Sequence, residues 1–144
     1  RDYGLSKRNA EKMILKSGED GLNVSIARCF AFIGKYLPDD SHFAYANFLK
    51  SARKGNDIIV NSDHEVFRSY MHSDDLVDSL IKVALTSNSS CPIYNVGSDI
   101  PISIFLLAQK IAKEYNVEVI TKDSINLNVV DRYVPDTSKL KSIL

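Results

Sequence analysis

The chain has 144 residues, 44% of them hydrophobic and 25% charged, a globular composition able to bury a core. Eighteen Lys and Arg cancel eighteen Asp and Glu, which removes any bulk electrostatic case for nucleic acid or an anionic membrane, so anion binding needs individually placed residues. No run of eighteen apolar residues offers a membrane-spanning helix, and Cys29 and Cys91, without metal-ligand spacing and too few for a disulfide scaffold, read as free thiols of a reducing, cytoplasmic compartment.

In chain order, Tyr3 to Lys16 reads as a helix, with Ala10, Met13 and Ile14 at helical spacing, ended by the glycines of "SGEDG". "LNVSIARCFAFIG" reads as a buried strand from Val24 to Phe30. After the loop "KYLPDD", Ser41 is placed to cap a helix from His42 to Lys54, stopped by Gly55. "DIIV" is a short strand, and "VFRSYMH" is extended. Ser73 is placed to cap "DDLVDSLIKVAL", whose aspartates sit at the positive end of the helix dipole. "PIYNVG" is a strand, Ser103 caps "IFLLAQKIAKEY", and "NVEVITK" alternates as a strand. "DRYVPDTSKLKSIL" begins extended, and Asp136 is placed to cap a final helical turn. Helices alternate with short strands, so the class is α/β. A first strand this apolar wants more sheet neighbours than the chain supplies, which predicts partner strands elsewhere in sequence.

Tyr3 and Lys7, four residues apart, share a helical face. Alone, such a pair is ordinarily a surface tyrosine beside a solvated lysine, since these pairs are frequent on helices. Its chemical reading is acid/base catalysis: an ammonium stabilises phenolate, and the phenol then exchanges a proton with a sugar or alcohol hydroxyl. That chemistry needs a hydride acceptor, hence a nicotinamide cofactor. His42, His64 and His72 lack metal spacing, and no metal site is expected.

The ordered series "YGLSKRNAE", "VSIARCFAFIG", "VFRSYMHSDDLVDSLIKVAL", "IYNVGS" and "YVPDTSK" resembles the C-terminal half of the extended short-chain dehydrogenase/reductases, the NAD-dependent nucleotide-sugar epimerases and dehydratases, over essentially the whole chain. The resemblance implies the C-terminal portion of a Rossmann-type NAD(P)-binding fold: residues 1–34 as catalytic helix and following strand, and 35–144 mainly as a small mixed nucleotide-sugar-binding domain. It makes Tyr3 the acid/base and Lys7 the ligand of the nicotinamide ribose, and it brings Cys29 near the carboxamide through backbone groups. For substrate it implies Phe43, Asn47, Ile59 and Asn61 around the nucleotide base, with core packing on an amphipathic helix as the alternative for Phe43, and Arg68 on the diphosphate, where a planar guanidinium fork suits paired oxygens. Asn95 is implied near the phosphate, with a turn-capping role as the alternative. Arg132 or Tyr133 is implied near the nucleotide, with Arg132 the choice and a solvated arginine its alternative. Ala31 stands where many relatives have an asparagine that contacts the diphosphate, and Asp63, His64 and Glu65 in "SDHEV" depart from the family's glycine-rich turn; the two acidic residues, Asp63 and Glu65, are expected to face solvent, away from a diphosphate.

The family's glycine-rich pyrophosphate turn has no counterpart among the six glycines. The resemblance therefore implies that the cofactor-binding half is missing and that the chain alone has negligible turnover. It also implies a homodimer for the full-length protein, through a helical bundle that includes the Tyr3 helix. The expected function is that of an epimerase or dehydratase of surface-polysaccharide sugars. A 4-keto-6-deoxysugar reductase, and a non-catalytic nucleotide-sugar-binding or interaction module, are the alternatives.

Overall fold

The computed structural model describes residues 2–35, 43–121 and 126–144, with Leu127 described by its backbone alone. Helix α1 (Asp2–Glu19) runs one turn beyond the predicted end. Gly18 lies inside it rather than closing it, and is its one buried residue. A Cβ there would stand 2.8 Å from the Ser89 carbonyl oxygen, so glycine is what lets the helix approach that backbone. Gly21, at φ +92°, takes the left-handed turn that leads the chain away. The rest of α1 is almost wholly exposed, including Leu5, Met13 and Ile14.

The predicted first strand divides. Val24 forms only an isolated bridge with Asn88, and the strands are β1 (Ile26–Cys29) and β2 (Phe32–Ile33). The second helix, α2 (Ala44–Arg53), starts after an N-cap at Phe43, which makes no side-chain cap bond. Ser41 and His42 lie outside the described residues. β3 (Ile58–Val60), β4 (His64–Arg68) and β5 (Met71–His72) follow. Helix α3 (Ser73–Leu85) is capped by His72, whose ring nitrogen accepts from the Asp74 N–H, and not by Ser73. The helix begins one residue earlier than expected, so Ser73 becomes its first turn. β6 (Ile93–Val96) and β7 (Ile102–Ser103) precede α4 (Ile104–Tyr115), where the Ser103 hydroxyl accepts from the Leu106 N–H as predicted. β8 (Val119–Thr121), β9 (Asn126–Tyr133) and α5 (Ser138–Lys141) complete the order. The Asp136 carboxylate accepts the Ser138 N–H at the start of α5.

Strand pairing is mostly parallel, as helical crossovers require: β1 with β6, β2 with β5, β3 with β8, and β4 with β9. Among the described strands only β7 runs antiparallel, against β4. Among the described residues, two hydrophobic clusters form the interior. One joins α2, β3 and α4 through Phe48, Ile58, Val60, Leu107 and Ala108. The other joins α3, β6 and α5 through Leu76, Val83, Tyr94, Val96 and Leu140. β4 and β9 lie beside a cleft between them.

Candidate active site

The cleft has a volume of about 480 Å³ and opens where β1 ends, with Cys29, Phe30 and Ala31 on its wall. The carboxyl end of a parallel strand is the usual ligand site of such sheets, because the chain there leaves the sheet and opens a crevice. Tyr3 reaches the cleft from the first turn of α1, Phe43 from the start of α2, and Arg68 from the end of β4. Four residues chosen from sequence, Tyr3, Cys29, Phe43 and Arg68, therefore meet in one cavity although 65 positions separate the first from the last.

Lys7 does not line the cleft. Its Nζ stands 5.4 Å from the centre of the Tyr3 ring, in cation–π range on the same helical face. Partial burial pushes the Cys29 thiol above its ordinary value. Burial likewise raises the Tyr70 phenol on the cleft wall, against the opposing effect of the Arg68 charge.

The Arg68 guanidinium is not free. One Nη donates to an Asp131 carboxylate oxygen at 2.7 Å, and the other donates to the Phe67 carbonyl oxygen at 2.7 Å. The Asp131 carboxyl is held below the usual carboxylate range, first by this hydrogen bond. Asp63 and His64 pair with each other at 2.7 Å, with the Asp63 side chain 75% exposed, which matches the expectation that it faces water.

Asn47, Ile59 and Asn61 do not reach this cleft. They line a second cavity of about 360 Å³, which adjoins it across Ala44 and Ile104, residues common to both walls. Asn95 is turned elsewhere: its amide donates to the Asp136 carbonyl oxygen at 3.1 Å, bracing the segment before α5 rather than capping the turn at Gly97. Arg132 also faces away, 5.8 Å over the Phe67 ring. The reason is strand alternation. β4 and β9 are parallel in the register Val66 to Asp131 and Arg68 to Tyr133. Val66 and Arg68 face the cleft, so Asp131 and Tyr133 share their side, while Phe67 and Arg132 share the other. Tyr133 is thus the β9 residue that lines the cleft, its ring 5.0 Å from that of Phe30. Period-two alternation along "DRY" separates Arg132 from Tyr133, but only once Arg68 is known to face inward. Phe30 and Tyr70 lie inside motifs of the ordered series but have no chemical signature of their own, and Asp131 lies outside those motifs; none of the three is a candidate from sequence.

The model of the NAD dependent epimerase/dehydratase family matches residues 1–97. The chain belongs to that family. UDP-glucuronic acid decarboxylase 3 of Arabidopsis thaliana is 28% identical over 144 residues, covering 99% of this chain and 42% of the plant protein. Two solved structures share the fold. A dTDP-glucose 4,6-dehydratase from Bacillus anthracis in complex with NAD superposes with a TM-score of 0.79 at 17% identity, over 99% of this chain and 45% of the other. MoeE5 in complex with UDP-glucuronic acid and NAD gives 0.79 at 21% identity, over 99% and 48%. The fold is accordingly a portion of the Rossmann-type epimerase/dehydratase architecture, and the chain spans less than half the length of these relatives. Among the described residues there is no cluster of potential metal ligands, and no helix is long and apolar enough to cross a membrane.

Proposed function

We propose that this chain supplies the proton-transferring tyrosine and the nucleotide-sugar grip of an NAD-dependent enzyme acting on nucleotide-diphosphate sugars. The observation that carries the reading is that Tyr3 and Arg68 open onto one cleft at the carboxyl end of β1. Residues 1–34 form its catalytic helix and strand, and 35–144 mainly its substrate-binding part.

The residues present fit one end of a nicotinamide dinucleotide. The Tyr3 phenol, the Lys7 ammonium and the wall at Cys29 suit the nicotinamide and its ribose, whereas a glycine-rich turn for the pyrophosphate is not among the 144 residues. When bound, the dinucleotide supplies the hydride acceptor. The chain's own part is the proton. Tyr3 accepts the hydroxyl proton of the sugar carbon being oxidised, and Lys7 stabilises the negative charge on the phenol oxygen. Arg68 fixes the diphosphate, so that the reacting carbon is presented to Tyr3. Epimerisation, dehydration and decarboxylation can all begin with this oxidation. The curated relatives include decarboxylases of UDP-linked uronic acids, which favours a UDP-sugar as substrate.

Calorimetric titration of UDP-glucuronic acid into the protein tests the grip. Arg68→Ala should weaken binding roughly ten- to a hundredfold, the loss of charge-assisted hydrogen bonds. Tyr3→Phe should leave binding intact. With NAD and the cofactor-binding half present, the same Tyr3→Phe change should slow turnover by about 10²–10⁴-fold. Unchanged binding in Arg68→Ala would defeat the assignment of the diphosphate site.

A further inference from the structure

Arg68 is the one cationic side chain among the described residues that line the cleft. Its neighbours there are largely aromatic or aliphatic: Tyr3, Phe30, Phe43, Tyr70, Tyr133 and Ile104. Among the described lining residues, the attraction for an anion therefore rests on this one charge. Yet the charge is already answered. Asp131, on the same side of the β4–β9 pair, reaches across the strands and takes an Nη hydrogen bond at 2.7 Å. The Asp131 backbone carbonyl lies 3.5 Å from the other Nη. The pair is only partly sheltered, with the Asp131 side chain 47% exposed and that of Arg68 29% exposed. A carboxylate so placed can swing into water at small cost, because exposed ion pairs are weak.

We propose that Asp131 is a built-in competitor for the anion that Arg68 binds, so that a nucleoside diphosphate must displace its carboxylate to enter the cleft. The inference rests on the reading of Arg68 as the diphosphate residue. Its consequence is selectivity. Free phosphate or pyrophosphate brings only charge and gains little by exchanging one anion for another at the guanidinium. A nucleoside diphosphate also brings flat and apolar surface to the aromatic walls, and that additional contact drives the exchange. Asp131 thus turns a general anion site into one that answers only when the rest of the ligand is present.

The test compares inorganic pyrophosphate and UDP as calorimetric probes of the wild-type chain, Asp131→Asn, Asp131→Ser and Arg68→Ala, with circular dichroism to verify folding. Both Asp131 variants should bind pyrophosphate about two- to fivefold more tightly than wild type, and the ratio of UDP to pyrophosphate affinity should fall. The gain should shrink as salt is raised to about 1 M, where charges a few ångströms apart are screened. If the Asp131 variants bind both probes equally or more weakly than wild type, while Arg68→Ala abolishes binding, Asp131 merely holds Arg68 in place. The competitor proposal then fails and the diphosphate site stands. If Arg68→Ala binds UDP as wild type does, or no variant binds either probe, the diphosphate site fails and this proposal with it.

Discussion

Gly97 follows β6 directly, and a Cβ on it would lie 2.8 Å from the Cβ of Phe30 and 3.3 Å from Pro135. Its φ is not in the left-handed region, so space rather than backbone freedom accounts for the glycine. Phe30 is the residue on which Tyr133 rests, with rings tilted by 30°, and both form one wall of the cleft. Gly97 therefore sets the position of an aromatic wall it does not belong to. Gly97→Ala should cost about 1–3 kcal/mol through overpacking and should weaken UDP binding several-fold by driving Phe30 into the cavity. A thermal melt and a titration of the same sample read both effects. A variant that melts lower but binds UDP unchanged would separate the packing of Phe30 from the shape of the site. At this scale the sequence exposed what carries a chemical signature, a phenol beside an ammonium and an arginine in an extended run. It hid the walls, because Phe30 and Tyr70 are ordinary aromatic residues until the fold brings them opposite Tyr3.

The elements were more legible than their ends. Helix α4 was readable with its cap because Ser103 is followed by an uninterrupted apolar period. The cap of α3 was misassigned by one residue because Ser73 and His72 both offer acceptors, and the choice between them depends on where β5 stops. The buried strand expected from Val24 to Phe30 is shorter and more exposed than its composition suggests, with Ile26 alone buried in β1. Its hydrophobic content is a statement about neighbours, and among the described residues β1 has only β6 beside it. Helix α1 shows the same dependence. It is held to β1 by a two-pronged ion pair, with Arg28 Nε donating to one Glu11 oxygen at 2.8 Å and an Nη donating to the other at 2.7 Å. The hydrogen bond from Arg28 lowers the Glu11 carboxyl below its ordinary 4.5. A carboxyl depressed on folding stabilises the protein above its unfolded value and loses that contribution as pH falls through the folded one. Glu11→Gln should therefore destabilise the protein at pH 7, by no more than about 1 kcal/mol for a partly exposed pair. The difference from wild type should close as pH drops below 4.5. Urea midpoints measured across that range test it, and a difference independent of pH would assign the effect to packing instead.

Across the whole molecule, the two hydrophobic clusters are not successive stretches of chain. Ala27 and Phe32 pack on the α3–β6–α5 cluster, residues 44–70 on the α2–β3–α4 cluster, Met71 to Val96 on the first again, Ile102 to Val119 on the second, and Leu140 on the first. The peptide bond between Tyr70 and Met71 joins one core to the other, and the cleft is walled by Phe32 from one side and by Val66 and Ile104 from the other. A chain threaded in this way cannot release one core without pulling on the connections of the second, which favours a single cooperative transition. Ile58 and Leu140 are both fully buried, one in each cluster. Ile58→Ala and Leu140→Ala should each cost about 2–5 kcal/mol from lost burial and the cavity left behind, a large share of the roughly 5–15 kcal/mol typical of a domain. Each should lower one common midpoint, seen alike by far-UV circular dichroism and by tyrosine fluorescence, and each should weaken UDP binding only through the fraction unfolded. If Leu140→Ala instead splits the melt in two, leaving one transition at the wild-type temperature, the clusters are separate folding units. The cleft would then be an interface whose geometry depends on how those units meet.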